Sequence, residues 1–356
     1  MPLRIDIAGP PAEQVRFAAS PLAELTAMLH VLAEPGHHPR FAAWAGEVWA
    51  GMRPELAERV READSLWRSS QADFLLPGRP RPALTEELAD VDAIDHETYA
   101  TAALVSTCGS TRIATRSPLA DPDSRERALD LAQARGPRQE AFAESLLTDP
   151  AATRARVRDT LEQCAEAFFD SAWAGLEPQL AADLRHKQDL VRHKGLRTAL
   201  DAVSSAVTLS EDGSRIVVDK LQDKATSAQD GVTFIPSVFG SPHLVVVHAA
   251  GWQPVVQYPV ANAAAPVPLE TVELRLDALA HPVRLRLVRT LARSPHTTSE
   301  LAHTWDLSAP EVSRHLAVLR RAGLLTTKRQ GRYVRYSLDL PQLSSLGTDL
   351  LAAVLR

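Results

Sequence analysis

Ser313, Arg314 and His315 bring a hydroxyl, a guanidinium and an imidazole to three consecutive positions. Six basic side chains then follow between Arg320 and Arg335. Guanidinium groups read base edges in pairs of hydrogen bonds, hydroxyls donate or accept, and Lys and Arg neutralise phosphates. Residues of these types at this density suit a polyanion. The chain as a whole carries a net charge of −5, so the clustering is local. From Pro268 to the end there are 13 Lys and Arg against 8 Asp and Glu, whereas the part before it holds 26 against 36. The two parts therefore face different partners.

Other reactive residues fall short of a constellation. His37 and His38, in GHHP, stand at a helix break with no third ligand nearby, so no metal is assigned to them. Asp92, Asp95, His96 and Glu97 are read as capping and loop groups rather than as an acid–base set. Cys108 and Cys164 have no Cys or His at ligand spacing, which leaves two buried thiols and neither a zinc knuckle nor a disulfide framework. His303 is read as a surface residue and Trp305 as a core anchor. No G-x-G-x-x-G, phosphate loop, H-E-x-x-H or G-x-S-x-G occurs. The sequence assigns no catalytic residue, no cofactor and no metal, and predicts a protein that is not an enzyme.

Two helices and a ribbon must position the basic cluster. In TTSELAHTWDLSAPEVSRHLAVLRRAGL, Thr298 or Ser299 starts the first helix, Leu301 points inward and Leu307 plugs the corner after WDL. Ser308 opens the second helix in an S-x-x-E capping box with Glu311, Pro310 lies in its first turn, and Gly323 supplies a left-handed stop. Val312, Leu316 and Leu319 form the inward stripe, leaving Ser313, Arg314 and Arg320 on other faces. LLTTKRQ and RYVRYSL then alternate around Gly331 as a two-stranded wing, with Lys328, Arg329, Gln330 and Arg332 at its tip and Tyr333 beside them. Such a helix fits a major groove about 12 Å wide while the wing lies on phosphates, so double-stranded DNA is the expected partner.

The rest of the chain is organised around this module. At 356 residues, with 45% hydrophobic and 23% charged residues, it has room for two cores. No run of about 20 uncharged apolar residues and no secretory start is seen, which predicts a cytoplasmic protein with no membrane contact. LRIDI reads as a short strand. Ser20 and Pro21 open a helix with Leu22, Leu25, Leu29 and Leu32 on one face, EPGHHP breaks it, and a second helix follows Pro39. GRPRPALTEELADVD reads as a connection, and residues 138–207 are strongly helical. SRIVVDK, GVTFIPSV, HLVVVHAA and PVVQYPV read as strands of an antiparallel sheet. The expected fold is α+β: a mainly helical N-terminal domain with a small antiparallel sheet at 1–262, a linker at 263–268, and a winged helix-turn-helix at 269–356.

LDALAHPVRLRLVRTLA, TSELAHTWDLSAPEVSRHLAVLRRAGLL and TKRQGRYVRYSL resemble the winged helix of ArsR/SmtB-type bacterial repressors over about the last 85 residues. The resemblance implies a homodimer on a pseudo-palindromic operator. It places Ala309, Pro310, Ser313 and Arg314 on the base-contacting face, His315 close to the DNA backbone, and Arg329 and Arg332 in the wing contact. It also implies a dimer interface at the stripe Leu343, Leu346, Leu350 and Val354, the equal alternative being that this stripe packs on the domain's own core. The family's metal sites are missing, since ELAHTWDL has no Cys and the last helix offers Asp349 without His or Glu. The N-terminal stretches VRFAASPLAELTAMLHVLAEPGHHPRFAAW and GVTFIPSVFGSPHLVVVHAAGWQPVVQYP resemble an uncharacterised domain that precedes such winged helices in actinobacterial regulators. A regulator, and specifically a repressor, is thus expected, gated by a non-metal small molecule or by the N-terminal domain. The pocket walls would be Trp44, Trp49, Trp67, Phe168, Phe169 and Trp173, the alternative being that aromatics at helical spacing are core. The competing readings are a constitutive architectural DNA binder and an enzyme domain fused to a winged helix.

Overall fold

A computed structural model describes residues 3–7, 11–68, 71–109, 116–219, 224–228, 230–260, 267–330 and 333–355. They divide into two compact units, Met1–Ala261 and Asn262–Arg356. Residues 261–266, which hold most of the expected linker, lie outside the described residues. No helix among the described residues is long and apolar enough to cross a membrane.

The N-terminal unit opens with β1 (Leu3–Ile7), whose odd positions are buried as LRIDI predicts. α1 (Pro11–Gln14) and β2 (Val15–Phe17) follow. α2 (Pro21–Ala33) starts at Ser20, whose hydroxyl accepts from the Ala23 N–H at 3.0 Å. Its burial exceeds the single expected face, because every residue from Pro21 to Leu29 is buried. Leu22, Leu25, Met28 and Leu29 belong to the helical core, while Ala23 packs with Ile235, Val247 and Val255 on the strands. A helix covered on both sides is apolar all round. Two short turns, Pro35–His37 and Pro39–Phe41, lead to α3 (Ala42–Gly51) and α4 (Pro54–Glu62).

The stretch read as a connection contains a helix, α5 (Leu84–Asp92). It has no side-chain N-cap, and tertiary bonds secure it instead. The buried Glu87 carboxylate accepts from the Ser20 hydroxyl at 2.9 Å and the Leu22 N–H at 2.7 Å. The remaining helices are α6 (His96–Cys108), α7 (Pro122–Gln133), α8 (Pro137–Thr148), α9 (Pro150–Cys164), α10 (Asp170–Lys194) and α11 (Leu196–Asp201). A π turn at Ala165–Phe169 joins α9 to α10.

The strands are β3 (Val207–Leu209), β4 (Arg215–Val218), β5 (Lys224–Ala228), β6 (Val232–Ser237), β7 (Val245–Val247) and β8 (Val255–Pro259). The α+β class is as expected, but the pairing corrects the single antiparallel sheet. Two four-stranded sheets form, in the orders β3-β4-β1-β5 and β2-β6-β8-β7, and both are mixed. β1 pairs parallel with β5, and β6 pairs parallel with both β2 and β8. Parallel partners sit far apart in sequence and leave no turn signal between them. Leu3, Ile5, Ile216, Phe234 and Tyr258 pack in one core with Leu196 and Leu200 of α11. Lys187 and Asp183 of α10 form a buried ion pair at 2.9 Å, and the Tyr258 hydroxyl donates to Asp183 at 2.6 Å, fastening α10 to the sheet.

The six aromatics expected to wall a pocket pack as core instead. Trp67, Phe168 and Phe169 are buried, and Trp44, Trp49 and Trp173 are half-buried against them. Trp44 meets Phe239 at 4.6 Å between ring centroids, and Phe169 stacks on Trp173 at 5.3 Å. None of the six lines the cleft of about 350 Å3 beside Arg16, Gln188, Arg192, Asp230 and Gln253, nor the one of about 250 Å3 beside Glu34, Arg68 and Gln139. Polar groups predominate on the walls of both clefts, with Val15, Phe17, Val191 and Val232 also lining the larger.

The C-terminal unit contains α12 (Leu269–Leu279), α13 (Pro282–Leu291), β9 (His296–Thr297), α14 (Thr298–Trp305), α15 (Ala309–Arg321), β10 (Leu325–Gln330), β11 (Tyr333–Leu338) and α16 (Leu340–Val354). The strands form an antiparallel sheet in the order β10-β11-β9. Leu287, Leu301, Val312, Leu316, Leu319 and Leu324 fill its core.

Candidate nucleic-acid interface

α14 begins at Thr298, the earlier of the two starts the sequence offers. Thr297 is its N-cap, accepting from the Glu300 N–H at 3.3 Å, while the Glu300 carboxylate accepts from the Thr297 N–H at 2.6 Å. The reciprocal capping box is therefore here. At Ser308 the hydroxyl accepts from the Glu311 N–H at 3.3 Å, and Pro310 lies in the first turn of α15. Asp306, at φ +52°, makes the turn between the helices, and Leu307 packs against the core at the corner. Gly323, at φ +73°, ends α15 in the left-handed conformation, and the Leu324 N–H returns to the Leu319 carbonyl at 3.0 Å.

Val312, Leu316 and Leu319 are buried as expected, which turns the opposite face of α15 outward. Ser308, Ala309, Pro310, Ser313, Arg314 and Arg320 are exposed. His315 is half-buried and faces His281 at 4.8 Å between ring centroids, and burial followed by the neighbouring His281 lowers its pKa. His281 itself caps α13, its Nδ1 accepting from the Val283 N–H at 3.2 Å. Lys328 and Arg329 are exposed on β10. Gln330 and Tyr333 pair across the ribbon end, but their side chains, and Gly331 and Arg332 altogether, lie outside the described residues.

The expected interface stripe on α16 divides. Leu343 packs against the unit's own core, Leu346 and Leu350 are half-buried, and Val354 is exposed. α12 packs beside α16 and adds exposed Leu269, Leu274 and Leu276. Buried Arg275 ties the two helices together, donating to Asp349 at 2.7 Å and also to Gln342. Asp349, the last helix's one candidate metal ligand, is thereby committed to a guanidinium.

The remaining flagged residues find structural roles. Asp95 caps α6 by accepting from the Thr98 N–H at 2.9 Å, Asp92 pairs with Arg158, and His96 lies beside Arg154. Glu97 occupies the first turn of α6, away from any cleft described above. Burial pushes the Cys108 thiol up to about 11 and Cys164 to about 12. Trp305 donates from Nε1 to the Thr290 hydroxyl at 3.1 Å, and His303 is exposed.

One reading is overturned. His38 does have further ligands nearby, since His30 and His243 join it, and one donor atom from each of the three lies within 4.8 Å of the others. His30 and His243 are 213 residues apart, so the sequence shows no spacing to read. The one local signal was a lone imidazole in the last turn of the mostly apolar PLAELTAMLHVLA.

Residues 1–264 match the model of DUF5937, a family of unknown function. The chain belongs to the DUF5937 family. Residues 279–328 of this DUF5937 protein match a helix-turn-helix domain, and its C-terminal unit is a winged helix of ArsR/SmtB type. Over that region it is 38% identical to the biofilm growth-associated repressor of Agrobacterium fabrum, across 20% of this chain and 68% of that protein. It is 37% identical to the HTH-type transcriptional repressor SmtB of Mycobacterium tuberculosis, across 25% of this chain and 67% of the relative. The crystal structure of an ArsR family transcriptional regulator matches at 30% identity and a TM-score of 0.21, covering 23% of this chain and 84% of its own.

Proposed function

We propose that this protein is a sequence-specific DNA-binding transcriptional repressor that acts as a homodimer on a pseudo-palindromic operator. The observation that carries the reading is the division of α15, with Val312, Leu316 and Leu319 buried on one side and Ser313 and Arg314 exposed on the other. A helix held rigidly by its inner face can enter a major groove with its outer one. Ser308, Ala309, Pro310, Ser313 and Arg314 form that face, His315 supports it, and Arg320, Lys328, Arg329, Gln330, Arg332 and Tyr333 serve the flanking phosphates. The relatives named above are repressors in name, which favours repression over activation.

Leu346, Leu350 and Val354, with the exposed leucines of α12, supply an apolar surface suited to a second copy. Two copies would present their recognition helices about one DNA turn apart. Gating enters through the N-terminal unit. An effector there changes DNA affinity only through differential affinity for two states of the dimer.

The test is a genomic binding map of the tagged full-length protein, followed by fluorescence anisotropy on a recovered site and on a scrambled duplex. The expected result is a shared inverted repeat and at least about 1000-fold preference for it. Equal affinity for both duplexes, or the absence of any common motif, overturns the reading. A preference that no metabolite or ion ever alters would leave an architectural protein.

A further inference from the structure

We propose that His30, His38 and His243 form a binding site for a divalent transition-metal ion of the zinc class, with the neighbouring His37 or a solvent molecule completing the coordination. Three imidazoles converge from separate segments. His30 ends α2, His38 stands between the two short turns that follow, and His243 lies in the loop between β6 and β7. His30 Nε2 and His243 Nε2 are 3.2 Å apart. Two nitrogens each about 2.0–2.1 Å from a tetrahedral zinc stand roughly 3.3–3.4 Å apart, so this pair already has the length of one tetrahedral edge.

The outer contacts orient the ligands as a metal requires. His30 Nδ1 lies 2.8 Å from the Trp67 carbonyl and His38 Nδ1 lies 2.6 Å from the Ser241 carbonyl. A carbonyl only accepts, so each Nδ1 carries the proton and each Nε2 presents its lone pair. His38 is 1% exposed, and its Nε2 is buried without a hydrogen-bond partner. His37 Nδ1 is buried and unpartnered as well, with its ring centroid 5.4 Å from that of His243. Buried acceptors left unsatisfied are costly, and one cation aimed at by these lone pairs would remove the cost.

The scaffold that carries these ligands is stiff. Glu24 of α2 accepts from the Val238 and Phe239 N–H groups at 3.0 and 2.9 Å, clamping the start of the His243 loop to the helix that bears His30. The Ser237 hydroxyl accepts from the Gly240 N–H, and the Gly240 carbonyl accepts from the His243 N–H, both at 2.8 Å. His30 sits in the last turn of α2, where the partial negative charge of the helix end favours a cation. Imidazole donors select zinc, cobalt, nickel or copper over magnesium or calcium, which prefer oxygen.

The experiment uses the untagged full-length protein, stripped with chelator and equilibrated with Zn(II) or Co(II). Elemental analysis after dialysis is expected to give one zinc per chain, and the cobalt form to show the intense visible bands of four-coordinate geometry. His30→Gln and His243→Gln should each lower zinc affinity by more than about 100-fold, beyond what loss of an outer contact costs, while exposed His303→Gln leaves it unchanged. Substoichiometric zinc in the wild-type protein, or affinity unaltered in folded His30→Gln and His243→Gln, overturns the site. Should those variants fail to fold, the cobalt spectrum of the wild type decides, because weak six-coordinate bands exclude a histidine cage. Binding is read without DNA, so its failure would leave the repressor reading standing.

Discussion

Arg314 is exposed on α15 one residue after Ser313, and a guanidinium in a major groove makes paired bonds to a guanine edge. Arg314→Ala should weaken operator binding by about 1–3 kcal/mol and scrambled-duplex binding by much less. Anisotropy titrations on both duplexes check this, and equal losses would exclude a base-reading role. At the same scale, Glu87 shows how burial sets a proton. Burial pushes its carboxyl up to about 7, despite the Leu22, Arg81 and Ser20 donors that favour the charged form. Between its ordinary 4.5 and about 7 the folded chain holds a proton that the unfolded chain has released. The Glu87 contribution to stability is thus fullest below 4.5 and is lost as pH rises toward 7. Denaturant melts at about pH 5 and about pH 8 should show that loss in the wild type and a smaller one in Glu87→Gln. An unchanged difference between the two pH values would refute it.

Among elements, the pairing of α12 with α16 depends on Arg275, which is buried and donates to Asp349 and Gln342. Arg275→Met leaves Asp349 without its cation, and the expected cost is about 3 kcal/mol in denaturant unfolding of the C-terminal unit. Asp349→Leu in the same background should restore part of it, because a buried pair replaced by apolar groups is far less costly than one broken. The helices of the helix-turn-helix rest on cheaper devices. Thr297→Ala removes the hydroxyl half of the capping box, leaving the backbone N–H of residue 297 to the Glu300 carboxylate, and should cost about 1 kcal/mol, read as a lower melting temperature with DNA contacts intact.

For the molecule as a whole, the proposed dimer is the quantity on which operator affinity would rest. Leu350→Glu puts a charge into the half-buried stripe of α16. Sedimentation should then show a monomer, and operator affinity should fall by at least about 100-fold as two linked half-site contacts become one. A variant that stays dimeric would move the interface elsewhere.

The winged helix could be read from the chain because its signals are local. Ser308, Pro310, Val312, Leu316, Leu319 and Gly323 lie within one helix and its caps, and hydrogen bonds of short sequence separation determine where α15 starts and stops. The α+β class was legible for the same reason, since Val- and Ile-rich runs and helical periods are properties of short windows. Tertiary structure alone decided the parallel pairings of β1 with β5 and of β6 with β2 and β8, the helix at Leu84–Asp92 and the core role of the six aromatics. It also brought His243 to within 3.2 Å of His30. Contacts such as these are made when distant segments collapse on one another, and no periodicity or spacing along the chain encodes which of them will meet.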